Sequence, residues 1–139
     1  MSVKNIIFSV NYNPLATDIG LLFLRIGMGL FIAFGHGLSK FPISEGFIQG
    51  VGELGFPFPA FFAWSAALSE FVGGIFIAIG FLTRPAAFFV TFTMLVAGFL
   101  RHADDPFGVK EKAFLFAFIA IFLLIVGPGR YSVDARIRK

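Results

Sequence analysis

The chain of 139 residues has no cysteine. Disulfides, thiolate metal sites and thiol redox chemistry are therefore excluded. Charge is scarce too: 14% of residues are Asp, Glu, Lys or Arg, against about 25% in an ordinary soluble domain. With a formal charge of only +3, the high isoelectric point of about 9.6 does not describe a nucleic-acid binder, because the basic residues gather at the ends of apolar runs rather than on one face. What the chain has instead is apolar surface. Hydrophobic residues make up 58% of it and 22 are Phe, more than one small soluble core can hide. The mean hydropathy of +0.89 points to lipid as the main solvent.

A cleavable signal peptide needs a basic start, a short apolar core and a small-residue cleavage site. Here the first apolar run begins only after Asn13-Pro14-Leu15-Ala16-Thr17-Asp18 and ends in Gly35-His36-Gly37-Leu38-Ser39-Lys40, so it reads as a retained helix. Crossing a bilayer takes roughly 20 mostly apolar residues. Four spans are predicted, at residues 19–40, 60–82, 85–102 and 111–126. Thr17 or Asp18 suits the cap of the first, and Pro85 suits the first position of the third. The last two are short and call for local thinning of the bilayer. The fold expected is an all-α, integral membrane four-helix bundle forming one domain. Between the first two spans, residues 43–55 mix Phe47, Ile48, Val51 and Leu54 with glycines. That pattern fits a short amphipathic helix in the interface and equally an ordered loop.

Basic residues alternate between the two sides. Lys4, Arg84, Arg130, Arg136, Arg138 and Lys139 fall on one; Lys40, Arg101, Lys110 and Lys112, offset by five acids, fall on the other. The positive-inside rule places the first group, with both termini, in the cytoplasm.

Ionisable residues inside a membrane are costly and usually face the bundle interior. Arg25 and Glu70 stand out. Arg25 lies about 9 Å from the cytoplasmic end of the first helix and Glu70 about 18 Å from that of the second, which permits a buried Arg25–Glu70 pair. Arg25, His36 and Lys40 share a helical stripe, while Glu70 shares its face with Ala63, Ala67, Gly73 and Gly74. Small residues let membrane helices approach closely, so Glu70 points at another helix. Such a pair serves either as an architectural clamp or as part of a ligand site. His36 and His102 each lie about 26 Å along their helices. That places them at one level near the outer surface, with Lys40 and Arg101 close by. Opposed imidazoles suit haem or a metal, or one can hydrogen-bond a quinone carbonyl, or each can be an interfacial polar residue. Two histidines are too few for a protein-only zinc site, so no metal site is expected, and haem ranks below quinone.

The residues Leu24-Arg25-Ile26-Gly27, His36-Gly37-Leu38-Ser39-Lys40, Glu70-Phe71-Val72-Gly73-Gly74, Gly80-Phe81-Leu82-Thr83-Arg84 and Gly127-Pro128-Gly129-Arg130-Tyr131-Ser132-Val133-Asp134 follow in order. This succession resembles the DoxX family of membrane proteins over about residues 18–135. The resemblance implies a prokaryotic inner-membrane protein of four helices. It also implies a role beside a partner redox subunit in quinone-linked thiosulfate oxidation or redox-stress complexes. It marks Arg25, His36, Lys40, Glu70 and Arg84 as family-pattern positions, and Arg84, Gly127, Gly129 and Asp134 as structural ones, with Asp134 expected to bind Arg84, Arg130 or Arg136. The absence of cysteine argues against direct sulfur transfer. Three functions are in play. A quinone- or hydrophobic-ligand-binding redox subunit would use His36, Lys40, Glu70, Arg25, His102 and Arg101. A scaffold or lipid carrier, alone or with further copies of itself, would use Arg25–Glu70 as a clamp. A transporter ranks last, because the third and fourth helices offer almost no polar path.

Overall fold

The computed structural model describes residues 3–8 and 12–139; for Asn5 and Ile6 it describes the backbone alone. The described residues are helical, with no strand. After a short helix α1 (Val3–Ile7) come α2 (Pro14–Ile32), α3 (Glu45–Glu53), α4 (Pro59–Ile79), α5 (Thr83–Val96), α6 (Phe107–Val126) and α7 (Val133–Ile137). Helix α2 runs on through a π turn at Ala33–Gly37 and a 3₁₀ turn at Leu38–Lys40, and α5 through a π turn at Ala97–Arg101. Counting these extensions, Pro14–Lys40, Pro59–Ile79 and Thr83–Arg101 are long and apolar enough to cross a membrane. Helix α6 carries Lys110, Glu111 and Lys112 near its start, which leaves its apolar run at residues 113–126.

Local chemistry explains the boundaries. The first span starts earlier than residue 19 because Asn13, not Thr17 or Asp18, is the cap: its side chain accepts from the Ala16 amide at 3.2 Å and Pro14 follows. Helix α4 stops at Gly80, whose φ of +72° closes a left-handed cap. The Phe81 amide then bonds the Phe76 carbonyl at 2.9 Å and the two rings meet edge-on at 5.0 Å, a backbone bond and an apolar contact that seal the helix end together. Helix α5 starts at Thr83, two residues before Pro85. Its N-terminal amides are satisfied from far along the chain, because the Asp134 carboxylate accepts from Leu82 and Thr83 at 2.8 and 2.9 Å.

Helices α2, α4, α5 and α6 form the bundle. Each packs on its sequence neighbour, and the ring closes through a thin α2–α6 seam. Along the α2–α4 seam Gly29 lies against the Gly74 carbonyl and Ala78, and Gly37 against Glu70 and Phe71. A Cβ on Gly74 would stand 2.7 Å from the Gly29 carbonyl oxygen, so this approach requires glycine. These contacts set the register by packing, which is how helices associate in lipid. Leu21, Met28, Ile32, Ile77, Val90, Met94 and Leu123 fill the centre. Outside, Phe23, Phe31, Phe61, Phe99 and Phe118 are each more than 60% exposed. Such a phenyl surface is unsuited to water and suited to acyl chains.

Candidate functional site

The register separates the two ionisable residues expected to pair. Glu70 lies beside Gly37, and Arg25 is twelve residues, about 18 Å, away along α2. The Arg25–Glu70 pair is therefore corrected: an arginine side chain cannot bridge that distance. Glu70, only 3% exposed, is ion-paired instead with Lys40 Nζ. Lys40 Nζ also donates to the His36 carbonyl at 3.3 Å. The π turn at Ala33–Gly37 inserts one residue into the helix and so resets the face on which the next residues lie. It brings Gly37 against α4 and turns Lys40 toward Glu70.

Around this pair is a cavity of about 260 Å³ lined by Lys40, Val51, Glu70, Thr93, Arg101 and His102 among others. Helix α3 forms its roof. Ser44 starts that helix by accepting from the Phe47 amide at 3.1 Å, and Phe47, Val51 and Leu54 turn inward to the cavity. The second π turn, Ala97–Arg101, carries Arg101 and His102 to its rim. π turns of this kind are frequent at functional sites. Thr93 Oγ1 donates to the Phe89 carbonyl at 2.9 Å and lies 3.1 Å from Ser69 Oγ. His102 Nδ1 lies 2.6 Å from an Asp105 carboxylate oxygen, which fixes the ring and leaves Nε2 free of that contact. A largely apolar chamber with one ion pair inside and Arg101 and His102 at its mouth can hold a flat, largely apolar molecule by its acceptor oxygens.

Of the six candidate ligand residues, Lys40, Glu70, Arg101 and His102 are brought together. His36 is not. Its ring packs edge-on against Phe116 at 5.6 Å and lines a separate groove of about 500 Å³ on the α2–α6 seam. The two histidines therefore do not face one pocket. Among the described residues no group of three or more His, Cys, Asp and Glu gathers. Thr93 and Ser69 escaped the sequence reading because hydroxyls in apolar helices usually bond back to their own turn. The signal was there, since Thr91 and Thr93 are the only polar residues between 85 and 100.

Arg25, fully buried, sits at the opposite end. It donates to the Tyr131 carbonyl and lies so close over Gly80 that any side chain there would collide with it. Among the described residues its Nε and Nη1 bond nothing. Asp134 is committed to the amides of Leu82 and Thr83 rather than to Arg84, Arg130 or Arg136, and its own amide donates to the Gly80 carbonyl at 2.8 Å. Arg130 turns to Asp18, through its amide at 2.9 Å and its Nε at 3.8 Å. Arg84 donates to the Ile125 carbonyl at 3.2 Å. The closing segment is thus a plug that ties the tail to the first, second and third long helices.

The DoxX family model matches residues 20–103. The chain is 34% identical over 128 residues to "Inner membrane protein YqjF" of Escherichia coli, covering 88% of this chain and 95% of that one. It is 34% identical over 123 residues to "Putative oxidoreductase CatD" of Bacillus subtilis, covering 88% and 90%. To "Inner membrane protein YphA" of Escherichia coli it is 35% identical over 133 residues, covering 87% and 92%. No solved structure matches.

Proposed function

Since the chain belongs to the DoxX family of membrane proteins, we propose that it is a membrane subunit of a redox complex whose cavity under α3 binds the ring of a quinone or a related apolar ligand. The observation that carries this reading is the Lys40–Glu70 pair, its carboxylate buried, in a largely apolar chamber that Arg101 and His102 also line. A closed structural clamp has no use for a chamber, whereas a ligand with two acceptor oxygens does. The oxidoreductase name of the CatD relative points the same way.

In this reading Lys40 donates to one ring oxygen, and Glu70 holds the ammonium in place. Arg101 and His102 donate to the other oxygen from the rim. When bound, the quinone supplies two-electron, two-proton chemistry. The residues of this chain orient the ring, exclude water and hold protons at Lys40 Nζ and His102 Nε2. A partner redox subunit delivers the electrons. The four long helices all cross a prokaryotic inner membrane, with the Arg84 and Arg130 end in the cytoplasm, because that end carries the excess of cations.

The single Trp of the chain, Trp64, packs edge-on at 5.9 Å from Phe41 near this end, and quinones quench indole fluorescence. Titration with a short-chain quinone should give saturable quenching. Arg101→Gln and His102→Gln, both at the accessible rim, should each weaken binding about ten-fold, as expected for a lost hydrogen bond. His36→Gln should leave it unchanged. Lipid extracts of the gently purified protein should contain quinone. Absence of both quenching and co-purified quinone would sink the proposal and leave the chain a membrane scaffold or lipid carrier.

A further inference from the structure

A second cleft, of about 800 Å³, lies at the opposite end between the start of α5, the end of α6 and the docked tail. Thr83, Arg84, Gly127, Arg130, Arg138 and Lys139 are among the residues that line it. Four of those six are cations, and they come from segments more than forty residues apart. The one acidic side chain of the cleft, Asp134, is already occupied by the Leu82 and Thr83 amides.

The arginines have capacity to spare. Arg84 spends Nη2 on the Ile125 carbonyl, and among the described residues its other donors bond nothing. It lies flat over Gly127, where a Cβ would stand 3.4 Å from Nη2. Arg130 is 68% exposed and reaches only the edge of Asp18. Arg138 and Lys139 are exposed. On the wall, Thr83 Oγ1 is fully buried and, among the described residues, has no hydrogen-bond partner.

The position of the cleft says which anion it meets. Leu82, Ile125, Val126 and Ile137 stand exposed around it, so apolar surface ends and cations begin at this level. That is the depth of lipid phosphates in a bilayer. Guanidinium groups bind phosphate oxygens in pairs, and basic pockets at helix ends hold anionic headgroups.

We propose that this cleft binds a phosphate group, that of an anionic phospholipid headgroup, and so seats the tail of the bundle on the charged leaflet. The site is independent of the cavity under α3. The test uses the full chain in bilayer discs of mixed phosphatidylglycerol and phosphatidylcholine, ejected for native mass spectrometry. The wild type should retain phosphatidylglycerol in preference to phosphatidylcholine. Arg130→Gln with Arg138→Gln, both on exposed side chains, should lower that preference about five-fold per cation removed, with an unchanged melting temperature as the check on folding. Arg84→Gln should lower it as well. Equal retention of the two lipids, or a preference untouched by these variants, overturns the site. Displacement of the lipid by millimolar inorganic phosphate, with phosphate binding by itself, overturns the lipid assignment and makes free phosphate the ligand.

Discussion

Replacing Lys40 by Met would leave the Glu70 carboxylate, 3% exposed, without its ion-pair partner. Breaking a buried ion pair from one side costs about 3–5 kcal/mol, because the remaining charge stays desolvated. Polar contacts between membrane helices average only about 0.6 kcal/mol, since the unfolded chain in lipid finds other partners. The Lys40 side chain is 25% exposed, so water reaches this end and moderates the penalty. Weighing the three, we expect Lys40→Met to destabilise by about 3 kcal/mol and Glu70→Gln by less. The double variant should fall short of their sum by about 2 kcal/mol, within the range seen for contacting residues. The same cycle on Arg25→Met and Glu70→Gln should be additive within about 0.5 kcal/mol, because about 18 Å of helix separates them. The assay is reversible unfolding by dodecyl sulfate in mixed micelles, followed by circular dichroism at the helix band. Strong coupling between Arg25 and Glu70, or none between Lys40 and Glu70, would refute the register on which the whole site rests.

Gly80→Ala should be among the most damaging single changes, because φ is +72° and the new methyl meets the Arg25 guanidinium. We expect a loss of more than about 2 kcal/mol, read as a fall in monodisperse protein on size exclusion. Asp134→Asn keeps one acceptor for the α5 amides but removes the charge at the helix start. A loss of about 1–2 kcal/mol is expected from capping and helix-dipole effects, measured as a lowered melting temperature. Gly37→Leu would push α2 away from Glu70 and Phe71. It should abolish quinone-dependent quenching of Trp64 even where folded protein is recovered.

The fold class was legible without coordinates because its cause is compositional. Long apolar runs with nearly all their charges at the ends have one stable solution in lipid: helices that satisfy their own backbone. Glu70 on a Gly/Ala face was legible for the same reason, since a carboxylate there must turn inward. The stop at Gly127 was marked by a residue that tolerates positive φ, whereas the second span, expected to reach residue 82, ends at Ile79 because Gly80 closes it in a left-handed cap.

The partner of Glu70 was not legible. Counting residues from presumed helix ends put Arg25 within reach, and an error of two turns was enough to choose the wrong cation. The true register depends on where Gly29 and Gly74 allow two backbones to touch, which is a property of the pair of helices and not of either one. The π turns acted likewise. They shift side chains by one position without any distinctive local sequence, and so sent His36 to the α2–α6 groove while carrying His102 to the cavity. Asp134 looked like a salt-bridge residue because its neighbours are arginines, but its carboxylate is taken by the otherwise unsatisfied amides at the start of α5. The sequence by itself determined that this is a membrane bundle with a few charges it must hide. Tertiary structure alone decided which of those charges meet, because contacts between segments dozens of residues apart depend on packing that no local pattern encodes.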